Sequence, residues 1–176
     1  MARTMKDGLQ LTDGASLSEA LDPAELRRVF GAFPSGVIAI GALVDGAPVG
    51  MAASSFTSVS LDPPLVMICV ANTSTTWPKL SDATRFGVSV LAADQAGACR
   101  QLAARIDDRF TNLGWSATQE GAVVLEGATA WLHCSIHQVF PGGDHDIVVL
   151  RVHDLDADHA IHPLVFHASK FHRLEA

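Results

Sequence analysis

The sequence predicts a mainly β protein, an antiparallel barrel with a few short flanking helices, and three observations carry that prediction. Short segments of strand character recur along the chain, separated by turn signals such as Asp45-Gly46 and Pro141-Gly142-Gly143. Helical patterns are few and do not alternate regularly with strands, which argues against a doubly wound parallel sheet. The chain also lacks G-x-G-x-x-G, the glycine turn of that fold class.

Taken in order, residues 1–20 mix Gly, Ser, Asp and Thr without periodicity and read as a flexible leader to one domain over 21–176. A helix starts at Asp22, whose carboxylate can accept from free amides, with Pro23 in the first helical position. Leu26, Val29, Phe30 and Phe33 recur at helical spacing, and the helix ends between Gly31 and Pro34. A strand over 37–44, the Asp45-Gly46 turn and a return strand over 47–57 form a hairpin. After Pro63-Pro64, the unbroken apolar run 65–70 reads as a central strand. The polar cluster Asn72, Thr73, Ser74, Thr75 and Thr76 follows, with a short helix starting near Thr75. A strand over 86–91 precedes a helix capped by Asp94, with Ala98, Leu102 and Ile106 in its buried stripe. Segments 123–125, 130–140, 147–155 and 164–174 supply the remaining β structure, with turns at Gly127, at 141–143 and around Ala157.

Composition narrows the function classes. A chain of 176 residues is the size of one domain, and such a domain buries roughly two-thirds of the surface its unfolded chain exposes. Charged residues are only 18% against 48% hydrophobic, thin for a monomer and compatible with a homodimer. The net charge of -7 and the lack of any basic run argue against sequence-independent nucleic-acid binding. No segment reaches the 18 or so unbroken apolar residues that cross a bilayer, and the first residues lack a signal-peptide core, so a cytoplasmic protein is expected. Cys69, Cys99 and Cys134 are odd in number and lack C-x-x-C spacing, which reads as buried thiols. His133 and His137 would share a strand face but stand well apart along it, and the other histidines form no compact ligand pattern, so no metal is expected. Trp77, Trp115 and Trp131 read as packing residues.

The segment 51–65, MAASSFTSVSLDPPL, crowds hydroxyls between runs that read as buried strands. Side chains alternate along an extended strand, so Ser54, Phe56, Ser58 and Ser60 share one face and Ser55, Thr57, Val59 and Leu61 the other. Neither face is purely apolar. Partly buried hydroxyls and amides need partners, and a ligand rich in carbonyls, ring nitrogens and phosphate oxygens would supply them, as water would at a strand edge.

With Phe33-Pro34-Ser35-Gly36-Val37 before that segment, and Asp107-Asp108-Arg109-Phe110 and Gly143-Asp144-His145 after it, the chain resembles the flavin reductase family from about residue 21 to 174. The resemblance implies a Greek-key FMN-binding split barrel with flavin near a dimer interface. It implies an NAD(P)H:flavin oxidoreductase that reduces FMN or FAD with NADH or NADPH and passes reduced flavin to a transient partner monooxygenase.

Residue types agree with that implication. Backbone groups and hydroxyls of Ala52, Ala53, Ser54, Ser55, Cys69 and Val70 are suited to the rim of a flat ring, and the resemblance places these two strands beside the isoalloxazine. Ser74, Thr75 and Thr76, with Asn72 in the same cluster, can offer hydroxyls and free amides to a phosphate. Arg109 taken alone reads as a surface arginine neutralising Asp107 and Asp108; the resemblance turns it to the phosphate. Phe110 packs beside the flavin, holds the loop or belongs to the core. His145, with Asp144 or Asp146 to orient it, is placed near the nicotinamide by the resemblance. Phe171 stands where the family has an aromatic near the cofactor, with strand packing as the alternative. Two rival functions share the barrel: a flavin-retaining electron carrier or pyridoxamine-phosphate oxidase-like protein, and a non-enzymatic flavin or haem module.

Overall fold

Residues 21–174 are described by the computed structural model, and the leader expected over 1–20 lies outside the described residues. Helix α1 spans Pro23–Phe30, with the Asp22 carboxylate accepting from the Ala24 N–H at 3.1 Å. It stops at Gly31, whose N–H bonds back to the Arg27 carbonyl. Its apolar positions find no cover within the described chain: Val29 and Phe30, and Phe33 beyond the helix, are exposed.

Strands β1 (Ser35–Gly36), β2 (Ile38–Val44) and β3 (Ala47–Ala53) follow. Asp45 and Gly46, both with positive φ, make the two-residue turn between β2 and β3. The return strand predicted over 47–57 is two strands. Pairing with β2 ends where Ala53 meets Ile38, residues 54–56 cross over, and β4 (Thr57–Leu61) pairs instead with β5 (Pro64–Ala71). Ser54 therefore lies in the crossover, outside any ladder, while Ser58 pairs with Val66, so the two do not share one strand face.

The remaining elements are α2 (Trp77–Leu80), β6 (Phe86–Val90), α3 (Ala96–Ala103), β7 (Trp115–Ala117), β8 (Val123–Leu125), β9 (Ala130–Gly142), β10 (His145–Ala157), β11 (Leu164–His167) and β12 (Lys170–Arg173). Seven strands form one antiparallel sheet in the order β3-β2-β6-β9-β10-β5-β4. Its two edge strands, β3 and β4, are consecutive in the chain and joined by only residues 54–56, so the sheet curls until its edges meet. The run 65–70 is thus second from one edge, between β10 and β4, and buries Val66, Ile68 and Val70 on one face.

Three local expectations differ. The residue that opens α3 is Gln95 rather than Asp94, and its side chain makes no capping bond to the helix: its Oε1 accepts from the Ala92 N–H and its Nε2 donates to the Glu126 carbonyl, tying the helix start to its surroundings. Its buried stripe is Cys99 and Leu102; Ala104 turns extended, which leaves Ile106 outside the helix and exposed. Segment 164–174 is a hairpin, β11 and β12, turning at Ala168 and Ser169, both with positive φ. Strand β7, which pairs with β8, carried no sequence signal.

Two cores flank β2, because its side chains alternate between them. Ile38 and Ile40 join Ile68, Phe86, Val148 and Leu150 inside the barrel, with Trp77 stacked on Phe86. Val37 and Ala39 join Leu91, Leu102, Phe110 and Leu164 beneath α3. Each fully buried leucine or phenylalanine here contributes about 1.5–3 kcal/mol. Both cores hold β2 and β3 rigid at the place where the barrel edges meet.

Candidate functional site

At that meeting of edges a cleft of about 400 Å³ opens between the end of β3, the end of β5 with the loop after it, the end of α3 and the start of β10. One wall is the free edge of β3. The Gly50 carbonyl accepts from Arg109 Nη1 at 3.3 Å, so it points away from β2. Backbone direction repeats every two residues, which turns the N–H and C=O of Ala52 to the same outward side. Ala52, Ala53 and Ser54 line the cleft. Ser55 also lines it, but its hydroxyl is engaged: Oγ accepts from the Cys69 N–H at 2.9 Å and donates to the Cys69 carbonyl at 3.0 Å. A side chain thereby replaces the next rung of the β4–β5 ladder and fixes Cys69 on the opposite wall.

The loop over 72–76 forms the polar end. Ser74 Oγ accepts from the Trp77 N–H at 3.1 Å. Helix α2 is a single turn, too short for a useful dipole, so the anion-binding capacity rests on the loop itself. The amides of Thr73, Thr75 and Thr76 donate to no acceptor among the described residues. Beside them the Arg109 Nη1 donates to Thr76 Oγ1 at 2.6 Å, which aims the guanidinium and leaves Nε and Nη2 for an anion. Arg109 does not neutralise its acidic neighbours. The Asp108 carboxylate is taken up by the Phe110 N–H and the Thr111 hydroxyl, and those bonds hold it below the usual carboxylate range. Gln101 Nε2 donates to the carbonyls of Arg109 and Thr111 at 3.0 and 2.8 Å, clamping the loop to α3. Phe110, between those carbonyls, is buried edge-on to Trp115 and beneath Gly50, where an added Cβ would lie 2.8 Å from its ring.

His145 reaches the cleft from the first position of β10. The preceding two-residue turn starts at Gly143, with φ 80°, and His145 faces Gly142 across it. Its Nδ1 lies 2.7 Å from Asp144 Oδ1, which turns Nε2 outward; the same contact pulls the Asp144 carboxyl below its ordinary range. Asn72 ties this turn to the polar loop, its N–H donating to the Asp144 carbonyl and its Nδ2 to the Gly143 carbonyl.

Of the residues singled out from sequence, the structure gathers Ala52, Ala53, Ser54, Ser55, Cys69, Ser74, Thr75, Thr76, Arg109 and His145 around this cleft. Val70 turns into the barrel core, because parity along β5 sends Cys69 and Ala71 to the cleft instead. Asn72 serves the His145 turn. Phe171 lies on Phe166 and lines an adjoining cavity of about 240 Å³ that shares Ala52, Ala53, Ser54 and Ala103 with the cleft, with the Arg100 guanidinium 5.7 Å from its ring. Sequence reasoning missed Met51, Ala71, Thr73, Leu102, Ala103 and Arg105 as lining residues. Only Arg105 carried a signal, a second cation four residues before Arg109.

The wall therefore bears Arg105, Arg109 and His145 and, among the described residues, no carboxylate, in a chain of net charge -7. Neutral donors at one end and cations with free amides at the other fit a flat heterocycle carrying a phosphate. The unpartnered nitrogens of Arg109 are the observation on which that fit rests.

A closed antiparallel barrel with such a cleft at its meeting edges is the architecture of a flavin-binding split barrel. The chain belongs to the Flavin reductase like domain family, which matches residues 30–175. It is 41% identical over 149 residues to a flavin reductase of Pseudomonas putida, covering 84% of this chain and 88% of that one. It is 37% identical over 163 residues to the flavin-dependent monooxygenase reductase subunit HsaB of Rhodococcus jostii, covering 93% of this chain and 84% of the relative. Among solved structures, the NADH:FAD oxidoreductase SgcE6 of Streptomyces globisporus, in complex with NAD and FAD fragments, superposes with a TM-score of 0.83 at 40% identity, covering 92% of this chain and 98% of that one.

Proposed function

We infer that this chain is an NAD(P)H:flavin oxidoreductase that reduces FMN or FAD by hydride transfer and supplies the reduced flavin to a partner monooxygenase. The observation that carries the reading is the cleft at the barrel edges, with neutral donors along β3 at one end and Arg109, held by Thr76, at the other. The relatives named as flavin reductase and as a monooxygenase reductase subunit support the same activity. A bound flavin supplies the redox chemistry, accepting a hydride from the reduced nicotinamide. The chain's own residues bind and orient. Ala52 and its neighbours would offer edge amides to the ring rim, the amides of Thr75 and Thr76 with the free nitrogens of Arg109 would hold the phosphate, and His145, fixed by Asp144, would position the nicotinamide. No side-chain acid is required at the transferring carbon.

The active form is a homodimer in the cytoplasm. Val29, Phe30 and Phe33 are 51%, 69% and 78% exposed, an apolar face suited to burial against a second copy. The partner monooxygenase meets this protein transiently, by exchange of flavin. The test is NAD(P)H consumption in air by the purified chain with free FMN or FAD. Turnover that depends on added flavin is expected. Tightly retained flavin without nicotinamide turnover would favour an electron carrier, and binding without any oxidation of NAD(P)H would favour a storage module.

A further inference from the structure

The turn that presents His145 has little sheet to hold it. Pairing between β5 and β10 ends where Ala71 meets His145, and pairing between β9 and β10 ends where Gly142 meets His145. Gly143 and Asp144 lie beyond both ladders and are exposed, and Gly143 has φ 80°. Glycine has the widest backbone freedom of any residue, so a turn built on it needs outside contacts to keep one shape. Asn72 supplies them. Its N–H donates to the Asp144 carbonyl at 3.0 Å, one rung past the last pair of β5 and β10. The backbone then leaves the sheet, because the Ser74 N–H turns back to the Ala71 carbonyl at 2.9 Å. The Asn72 side chain makes the contact that the backbone no longer can: Nδ2 donates to the Gly143 carbonyl at 3.3 Å, and that carbonyl accepts from no backbone N–H among the described residues.

Building on the flavin-reductase reading, we propose that Asn72 is a positioning residue for the hydride donor, its side-chain amide holding the turn so that His145 meets the nicotinamide at one fixed place. Asn72 does not line the cleft. It acts through Gly143 and Asp144 on the imidazole, whose Nδ1 is tied to the Asp144 carboxylate. The loop that starts at Asn72 runs on to Thr75 and Thr76, so the support for the nicotinamide end is anchored in the same segment as the phosphate end. Small displacements matter, because hydride transfer needs the two rings in close, aligned contact. Removing Nδ2 leaves the Asn72 N–H bond and the Asp144–His145 contact in place, so the turn loosens while the fold stays intact.

The experiment is steady-state oxidation of NADH or NADPH by the purified full chain at saturating flavin. It compares the natural sequence with Asn72→Ala, Asn72→Asp, His145→Ala and Asn72→Ala combined with His145→Ala. FMN and riboflavin affinities and urea midpoints are measured on each chain. Asn72→Ala is expected to lower kcat/KM for the nicotinamide about three- to tenfold, the size of one neutral hydrogen bond, through KM rather than kcat. Asn72→Asp keeps the size but cannot donate, so it should fare no better. Both flavin affinities should stay within about twofold and the urea midpoint should hold, since both partners of the lost bond are exposed. A group that acts through His145 adds less than about twofold once the imidazole is gone, so the double variant decides the case. Full additivity there, an unchanged kcat/KM in Asn72→Ala, or a loss confined to kcat would overturn the assignment. FMN weakened with riboflavin spared would make Asn72 a phosphate contact, and a lowered urea midpoint with both flavins weakened would make it a brace of the whole fold; either result overturns the proposal. Natural kinetics in His145→Ala would remove the nicotinamide role and the proposal with it. No oxidation of NAD(P)H by the natural chain with any flavin would remove the underlying reading, a result distinct from all of these.

Discussion

Replacing Arg109 by alanine isolates the phosphate contact. The guanidinium spends one nitrogen on Thr76 Oγ1 and the Gly50 carbonyl, at 2.6 and 3.3 Å, and keeps Nε and Nη2. A charge-assisted hydrogen bond contributes about 1.5–3 kcal/mol, and Arg109 is only partly buried, so solvent screening favours the lower half of that range. At about 1.4 kcal/mol per decade, the dissociation constant for FMN should rise by about 10- to 40-fold. Riboflavin carries the same ring and no phosphate, and its affinity should stay within about twofold. Both constants are read from quenching of flavin fluorescence on the natural and variant chains, with unfolding by urea as a control. Thr76 and Gly50 are buried, so the hydroxyl and carbonyl left without Arg109 should also cost the fold about 1–3 kcal/mol, which the urea control reads separately from flavin affinity. Equal losses for FMN and riboflavin would refute a phosphate contact and return Arg109 to the role of a loop anchor.

His145→Ala should raise the nicotinamide KM or slow hydride transfer while flavin affinity stays nearly intact; steady-state and stopped-flow kinetics unchanged from the natural chain would remove the positioning role. Ser55→Ala strips the Cys69 N–H and carbonyl of their shared partner, which should cost about 1–3 kcal/mol in urea unfolding and weaken flavin as well, whereas Ser54→Ala should leave stability alone. Burial pushes the Cys134 thiol up to about 12 from an ordinary 9.0. The fold thus favours the neutral thiol, and its stability is whole below about pH 9 and declines above it as the unfolded chain ionises, by up to about 1.4 kcal/mol per pH unit. Urea midpoints at pH 8 and 10 should show a smaller loss in Cys134→Ala; the same loss in both chains would contradict this.

What was legible in the sequence follows from what is local. The Asp22 cap and the Asp45-Gly46 turn are settled within a few residues, and both stand where the pattern put them. The polar loop over 72–76 is a cluster of chemistry rather than of position, so it too was readable, whereas Arg109, which alone reads as a surface arginine, and the Gly143-Asp144-His145 turn were legible only through the family resemblance. The division of 47–57 into β3 and β4 was not, because it depends on where β2 runs out of partners, a fact about another strand. The hairpin at Ala168-Ser169 has positive φ without a glycine, so no turn signal marked it. Parity decides the rest: Cys69 faces the cleft and Val70 the core, one residue apart, and composition cannot tell them apart.

The placement of charge along the cleft bears on how a flavin leaves it. At the ring end the chain presents neutral groups: edge amides of β3, the free Ser54 hydroxyl and Cys69, whose backbone is already satisfied by Ser55. The two arginines on the wall, Arg105 and Arg109, sit at the other end. A flavin seated as inferred would therefore make its charged contacts where the phosphate binds, and its ring would share no ion pair with the wall. Because β3 and β4 are joined by residues 54–56 at the barrel's own seam, the ring end lies at an opening rather than in the closed core. A ring held by neutral donors at a seam can be exchanged without separating charges in a dry interior, which would cost several kcal/mol. A reductase that hands its product to another protein needs that property, and an electron carrier that keeps its flavin does not.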